Sequence, residues 1–348
     1  VVHNQLQFMQ ETNLGFDEEE VIVLSGAGSL EGRHETFIRE LESIPGVITA
    51  SATTTLPGDS FDSTVFEPEQ PANYEQSSLS YTMTDYNFVD ALGLHIVEGR
   101  NFSKDFSTDS TAFLMNQAAA NALGWDDPVG KAIGFAGSEP GTVIGVLEDF
   151  HYESLHIDIK PLIIPFIIWQ PQKIAVRLTP GEVNEKLEGI KNVWNQFVTN
   201  RPLHFEFLDQ NLQQWYVNEK RINQLFQIFT FLALFLACLG LFGLATYTAQ
   251  ARTKEIGVRK VLGATVPNLV GLMSIEFTKL VAIAIVIAVP VSWFAMNKWL
   301  DGFAFRINIS LWIFILAAAL ALTVALITVS FQAFKAAMVN PVDSLRSE

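Results

Sequence analysis

The stretch INQLFQIFTFLALFLACLGLFGLATYTAQA, Ile222 to Ala251, runs thirty residues without a charged side chain. Roughly 20 apolar residues in α-helix cross a hydrocarbon core of about 30 Å, and the buried helices of water-soluble domains rarely run longer without a charge. A membrane span is therefore the economical reading. Ile307–Phe334 reads the same way over twenty-eight residues. Leu280–Asn297 is shorter, eighteen residues, but Lys279 and Lys298 bracket it, and their long stems reach the headgroups at either end. Pro290 lies inside this third stretch, where neighbouring groups take up the freed carbonyl, so a kink and not a break is expected. The expected spans cover about residues 225–248, 280–298 and 308–333.

Outside the spans the chain changes character. Of its 348 residues, 1–221 hold 13 Lys+Arg against 32 Asp+Glu, whereas 222–348 hold 9 against 5. A net charge of -15 excludes a nucleic-acid binder, since phosphate contacts need a basic field. Val1–Phe16 is polar and has no apolar h-region that would mark a signal peptide. An acidic domain ahead of the spans is then either cytosolic or belongs to a fragment that has lost an upstream helix.

Charge placement favours the second. Arg252–Lys279 carries Arg252, Lys254, Arg259, Lys260 and Lys279 against Glu255 and Glu276, while Lys298–Arg306 holds only two basic residues. Positive-inside bias places the first loop in the cytoplasm. With three spans, the acidic domain then lies outside and the tail from Lys335 inside; Lys220 and Arg221 at the outer end of the first span argue weakly against this. The lone Cys238 sits within a span, so no intrachain disulfide forms, which fits a bacterial envelope.

An α+β extracytoplasmic domain is expected over 1–208. Val21–Ser25 reads as a buried strand, Leu30–Ile44 as a helix and Val47–Ala52 as a second strand. The order recurs in Lys173–Leu178, Gly181–Val198 and Leu203–Leu208. Two such β-α-β units predict helices on one face of a mixed sheet. Between them, about residues 66–171 read as an inserted subdomain with its own strands. Leu208, Leu212, Trp215 and Ile222 then follow a heptad-like spacing that continues to Phe226 and Phe229. This seam predicts a stalk helix over 209–224 that runs unbroken into the membrane domain, 225–348.

Several motifs fail on their chemistry. Gly26-Ala-Gly28-Ser-Leu-Glu-Gly32 follows a strand, yet its third glycine is one residue late and no acidic residue closes the next strand, which runs into Thr53-Thr54-Thr55. Gly124 to Lys131 has five residues between its glycines where a P-loop has four, and Ala132 replaces the Mg²⁺-binding hydroxyl. His151 and His156 are five apart, wrong for two ligands on one helix face. No nucleotide, metal or catalytic constellation is expected, hence no cofactor.

The remaining signal is Thr253-Lys-Glu-Ile-Gly-Val-Arg-Lys-Val-Leu-Gly-Ala-Thr265. Val258, Val261 and Leu262 fall at i, i+3, i+4, Arg259 and Lys260 face elsewhere, and Gly263 supplies a C-terminal stop. The run resembles the signature between transmembrane helices of the FtsX/MacB-like ABC transporter permeases. Thr84–Leu94, Glu98–Ser103, Met115–Ala118, Asp127–Lys131 and Val143–Phe150 are similar to motifs of the MacB-like periplasmic core domain, and Asn340–Arg346 to the family's C-terminal end.

The resemblance implies a permease subunit of the bacterial inner membrane, with the N-terminal domain periplasmic and the C-terminus cytoplasmic. It implies no ATP hydrolysis by the chain itself. A separate ABC-type ATPase would close on Glu255, Ile256, Gly257, Val258, Arg259, Lys260, Val261, Leu262 and Gly263, and the stalk would convey the motion outward. Membrane lipid and either a permease dimer or a second permease unit in one longer chain are further implied partners. Family members begin each unit with a helix this sequence lacks, in keeping with a fragment. The rival reading is a membrane-anchored sensor or scaffold that regulates envelope processes without transport.

Overall fold

The computed structural model describes residues 1–69, 78–166 and 170–338. It falls into two compact units, Met9–Val217 and a second that joins Val1–Phe8 to Asn218–Glu348. An opening helix, α1 (Val2–Glu11), straddles the division.

In the unit Met9–Val217, β1 (Val21–Ser25) leads through a 3-10 turn to α2 (His34–Glu42) and β2 (Val47–Thr53). The insertion follows, with β3 (Asp62–Pro68), β4 (Ser78–Tyr81), α3 (Phe88–Leu92), β5 (Ile96–Gly99), β6 (Ala112–Asn116), α4 (Gln117–Leu123), β7 (Ala132–Phe135), β8 (Gly141–Leu147) and β9 (Leu162–Pro165). The chain then returns through β10 (Lys173–Leu178), α5 (Val183–Phe197) and β11 (His204–Phe207), and ends on α6 (Leu208–Gln214).

The first sheet has the order β11-β1-β10-β2. Every adjacent pair in it is antiparallel, so the expectation of a mixed sheet is corrected. The physical reason is that each β-α-β unit is split. β1 and β2 are parallel but not neighbours, and β10 of the second unit fills the gap between them. Phe37 of α2 and Trp194 of α5 meet edge to face at 5.8 Å over this sheet, within a core that includes Ile22, Leu24, Ile174 and Val176. Trp194 is fully buried, and its Nε1–H donates to the Arg201 carbonyl at 3.0 Å, so burial leaves no orphaned donor.

The insertion is a second sheet of order β5-β8-β6-β9-β4-β3-β7, in which β7 also pairs β8. That extra pairing closes six strands into a ring and leaves β5 outside. β8 permits it by sharing one edge: Gly141 and Thr142 pair β7, while Gly145, Val146 and Leu147 pair β5. Closure pairs β7, which would otherwise be the far edge of the sheet, and leaves β5 as its one edge strand among the described residues. Phe66, Phe113, Met115, Ile133, Val143 and Ile163 fill the ring.

Threonines join the two sheets. The Thr82 hydroxyl lies 3.0 Å from that of Thr53 and accepts from the Thr55 N–H at 3.2 Å, all buried. Beside them the Asp85 carboxylate accepts from the Ser51 hydroxyl at 2.6 Å and the Ala52 N–H at 2.8 Å. Burial of Asp85 pushes its pKa up, against the pull of these hydrogen bonds. The threonine run after β2 is thus a structural seam.

The glycine run after β1 is a turn. The amides of Gly26 and Ala27 both donate to the Gln172 carbonyl at 3.1 Å, so they do not point at a ligand. Lys131 lies 5.1 Å over the Trp125 ring. Among the described residues, no group of three or more His, Cys, Asp or Glu could hold a metal ion.

The second unit holds α7 (Val217–Ala251), α8 (Thr253–Val261), α9 (Val266–Leu300) and α10 (Leu311–Ala337). Three of these are long and apolar enough to cross a membrane: Lys220–Ala251, Val266–Leu300 and Leu311–Lys335. The helix expected from 280 begins at Val266 and absorbs half of the expected loop Arg252–Lys279. Hydropathy reports where lipid lies and not where a helix starts. Pro267 in the first turn presets φ, and Glu276 and Lys279 sit on the helix without ending it. α9 continues through Pro290.

Candidate functional site

The expected stalk does not form as one helix. Leu208 and Leu212 on α6 are buried in the α/β unit, whereas Ile222 is exposed on α7. Between the two helices, the amides of Trp215 and Tyr216 donate three residues back to Leu212 and Gln213, and Trp215 Nε1–H donates to the Gly58 carbonyl at 3.3 Å. Trp215 and the buried Tyr216 lie between the end of α6 at Gln214 and the start of α7 at Val217, so Leu208, Leu212, Trp215 and Ile222 are spread over two helices and the residues between them. Spacing alone cannot distinguish a seam from two short runs that happen to be in phase.

The segment expected to couple to a partner is α8 and its C-terminal turn. Its end is a Schellman motif. Gly263 stands at φ +92°, its N–H donates to the Lys260 carbonyl at 3.1 Å, and the Ala264 N–H donates to the Arg259 carbonyl at 2.9 Å. Glu255 and Arg259, one turn apart, pair at 2.7 Å, and Arg252 ahead of the helix pairs with Glu276 of α9 at 2.8 Å. Both pairs are solvent-facing, so each contributes little stability and mainly fixes orientation.

Ile256 turns inward. It packs on a cluster built from Ala249 of α7, Met273 of α9 and Ala333 of α10, with Val270 beside it. A small residue from each of two helices lets the three approach closely at this end. Val258 and Leu262 turn outward, 48% and 80% exposed. Among the described side chains of α8 and its C-terminal turn, Ile256 packs on the bundle and two apolar side chains, Val258 and Leu262, are exposed. Gly257 and Val261 belong to α8; the side chain of Val261 lies outside the described residues, as does the stretch Asn340–Arg346.

Two features of this unit carry no sequence signal. Gln332 of α10 donates through Nε2 to the Thr246 hydroxyl of α7 at 2.7 Å, a polar link inside the apolar bundle. Thr246 in turn donates to the Phe242 carbonyl at 2.7 Å. The second is Gln5 of α1, whose side chain is fully buried. Its Nε2 donates to the Phe305 carbonyl at 2.8 Å and its Oε1 accepts the Ile307 N–H at 2.9 Å. One amide thereby clamps the loop between α9 and α10 as a neighbouring strand would. A lone glutamine in a polar N-terminal stretch announces none of this, because its partners are backbone atoms 300 residues away.

Comparison with known proteins places the two units separately. Residues 6–190 match the model of the MacB-like periplasmic core domain, and residues 227–341 match that of the FtsX-like permease C-terminal region. The macrolide export ATP-binding/permease protein MacB of Neisseria gonorrhoeae is 25% identical over 307 residues, covering 80% of this chain and 46% of the relative. The protein of the same name from Neisseria meningitidis serogroup A is 25% identical over 306 residues, with the same coverage. The chain therefore spans about half the length of the curated relatives it matches. Among solved structures, the periplasmic region of MacB from Actinobacillus actinomycetemcomitans covers 60% of this chain and 98% of its own, at 15% identity and a TM-score of 0.42. A domain of a permease protein from Porphyromonas gingivalis covers 55% and 90%, at 22% identity and a TM-score of 0.39.

Proposed function

The chain belongs to the MacB/FtsX-like ABC transporter permease family, membrane proteins with an extracytoplasmic domain, and from that premise we propose that it is the permease part of a mechanotransmission transporter. ATP is hydrolysed by a partner ATPase, the ATPase engages α8, and motion of the membrane helices is passed to the extracytoplasmic domain to move or export a substrate. The proposed site is the inner membrane, with α8 and the C-terminus in the cytoplasm, as the five basic residues of Arg252–Lys279 favour.

The observation that carries this reading is the orientation of α8. A docking helix needs an apolar patch for a groove and charge at the rim. Val258 and Leu262 project outward, the Glu255–Arg259 pair lies on the same short helix, and Ile256 ties it to all three long helices. A push on α8 would reach the whole bundle through Ile256.

Leu262→Asp tests the proposal. Leu262 is 80% exposed and outside the spans, so insertion is expected to survive. A buried charge at a central interface position costs about 2 kcal/mol or more, a loss of roughly thirtyfold in affinity. The full-length variant is expected to reach the membrane yet fail to co-purify with its ATPase. Normal complex formation and ATP-driven function in both Leu262→Asp and Arg259→Glu would leave α8 as a membrane-surface helix, and a sensor or scaffold would be the better reading.

A further inference from the structure

One mouth of the closed six-stranded ring is open. The start of β3, the end of β4, the start of β6, the end of β7 and the start of β8 all meet there, because the pairings of these strands bring those ends to one side. A cleft of about 990 Å³ opens over them, the size of small-molecule sites that occur at barrel mouths.

Its floor is aromatic. Tyr81 and Phe135 stand perpendicular, 84° apart with centroids at 5.6 Å, and Phe113 lies 6.3 Å from Phe135. Phe113 is buried, whereas Tyr81 and Phe135 are only half-buried and turn part of their surface to the cleft. Gly141 makes room for this floor: a Cβ there would lie 2.7 Å from the Phe113 ring and 1.7 Å from the Thr111 carbonyl oxygen.

The walls decide the ligand's charge. Among the described residues they are threonine, serine, glutamine and methionine side chains with one charged group, Glu139, in the β7–β8 turn, and no Lys, Arg or His. The surrounding field has the same sign, since residues 1–221 hold 32 acidic against 13 basic residues. Ring faces attract cations through their quadrupole, and an acidic domain concentrates cations near its clefts. An anionic ligand would meet only charge of its own sign and be repelled.

We infer that the barrel mouth is a binding site for a small organic cation with an apolar body, an amine or quaternary ammonium, held by Tyr81 and Phe135 with Glu139 as counter-charge. The site lies wholly within Met9–Val217 and does not depend on how the chain is coupled to ATP.

The test uses the full chain in nanodiscs and three water-soluble probes that share a benzyl group. These are benzyltrimethylammonium, neutral N-benzylacetamide and anionic phenylmethanesulfonate, titrated by saturation-transfer NMR against empty nanodiscs. Benzyltrimethylammonium is expected to bind at least tenfold more tightly than either comparator. Glu139→Gln, at an exposed turn residue whose loss leaves the fold intact, should reduce the cation to the level of the neutral probe. Phe135→Leu should weaken it at least fivefold. Absence of cation binding, equal binding of the three probes, or a cation preference that survives Glu139→Gln overturns the assignment.

Discussion

Replacing Gln5 by Met keeps the length and volume of the side chain and removes both of its hydrogen bonds. In the native fold Nε2 donates to the Phe305 carbonyl at 2.8 Å and Oε1 accepts the Ile307 N–H at 2.9 Å, with the side chain fully buried. Each bond is worth about 1 kcal/mol net, and a buried backbone group left unpaired costs about 1–3 kcal/mol. The loop is partly open to solvent, so water repairs some of that loss, and a total of about 2–3 kcal/mol is expected. That figure is local. The loop 301–310 packs through Phe303, whereas the three long helices are held by contacts remote from Gln5, such as Phe277 against Ala245 and Val329. Native-state hydrogen exchange read by mass spectrometry on the full chain in nanodiscs is the suitable assay, because it reports opening segment by segment. A local loss of 2–3 kcal/mol raises the exchange of the Ile307 region roughly 30- to 150-fold, while α10 keeps its protection. Equal exchange in the Gln5→Met and parent proteins would show that the amide clamp holds nothing, and the role given to α1 would go with it.

Other outcomes follow from single contacts. Asp109 is fully buried and takes two bonds from Arg100, at 2.6 and 2.7 Å, and one from the Ser103 N–H at 2.9 Å; Asp109→Asn should cost about 2–3 kcal/mol of domain stability in urea titration, since Arg100 is partly exposed and keeps some hydration. The Arg100 guanidinium holds the Asp109 carboxyl below its ordinary value, so its contribution is complete above about pH 4 and is lost as pH falls toward the lower native value; the gap between parent and variant should narrow only under acid. Gly141→Ala places a Cβ 1.7 Å from the Thr111 carbonyl oxygen, a clash with backbone that should cost about 3 kcal/mol or more and lower the melting temperature of the barrel seen by near-UV circular dichroism. Gly263→Ala forces a left-handed φ on alanine and should cost about 1 kcal/mol, read as faster exchange of the Ala264 amide with α9 unchanged.

The parts legible in sequence were those set by local chemistry. Thirty uncharged residues from Ile222 announce a membrane-spanning length of helix, because lipid offers no other partner to backbone polar groups. The glycine at 263 ends α8 because only glycine takes the left-handed turn at no cost, and the strands Val21–Ser25 and Lys173–Leu178 show themselves as short runs rich in β-branched residues, the first apolar from Val21 to Leu24 and the second carrying Lys173 and Arg177. Tertiary structure decided the rest. Strand order came from pairing between β1 and β10, more than 140 residues apart, and no periodicity within either strand encodes its neighbour. The heptad spacing from Leu208 to Ile222 spans the end of α6 at Gln214 and the start of α7 at Val217, and the bond from Trp215 to the distant Gly58 carbonyl between them has no trace in that spacing. The clamp by Gln5 and the link from Gln332 to Thr246 were invisible for the same reason: a polar side chain reveals its role only when folding brings its partner within 3 Å, and that distance is a property of the whole chain.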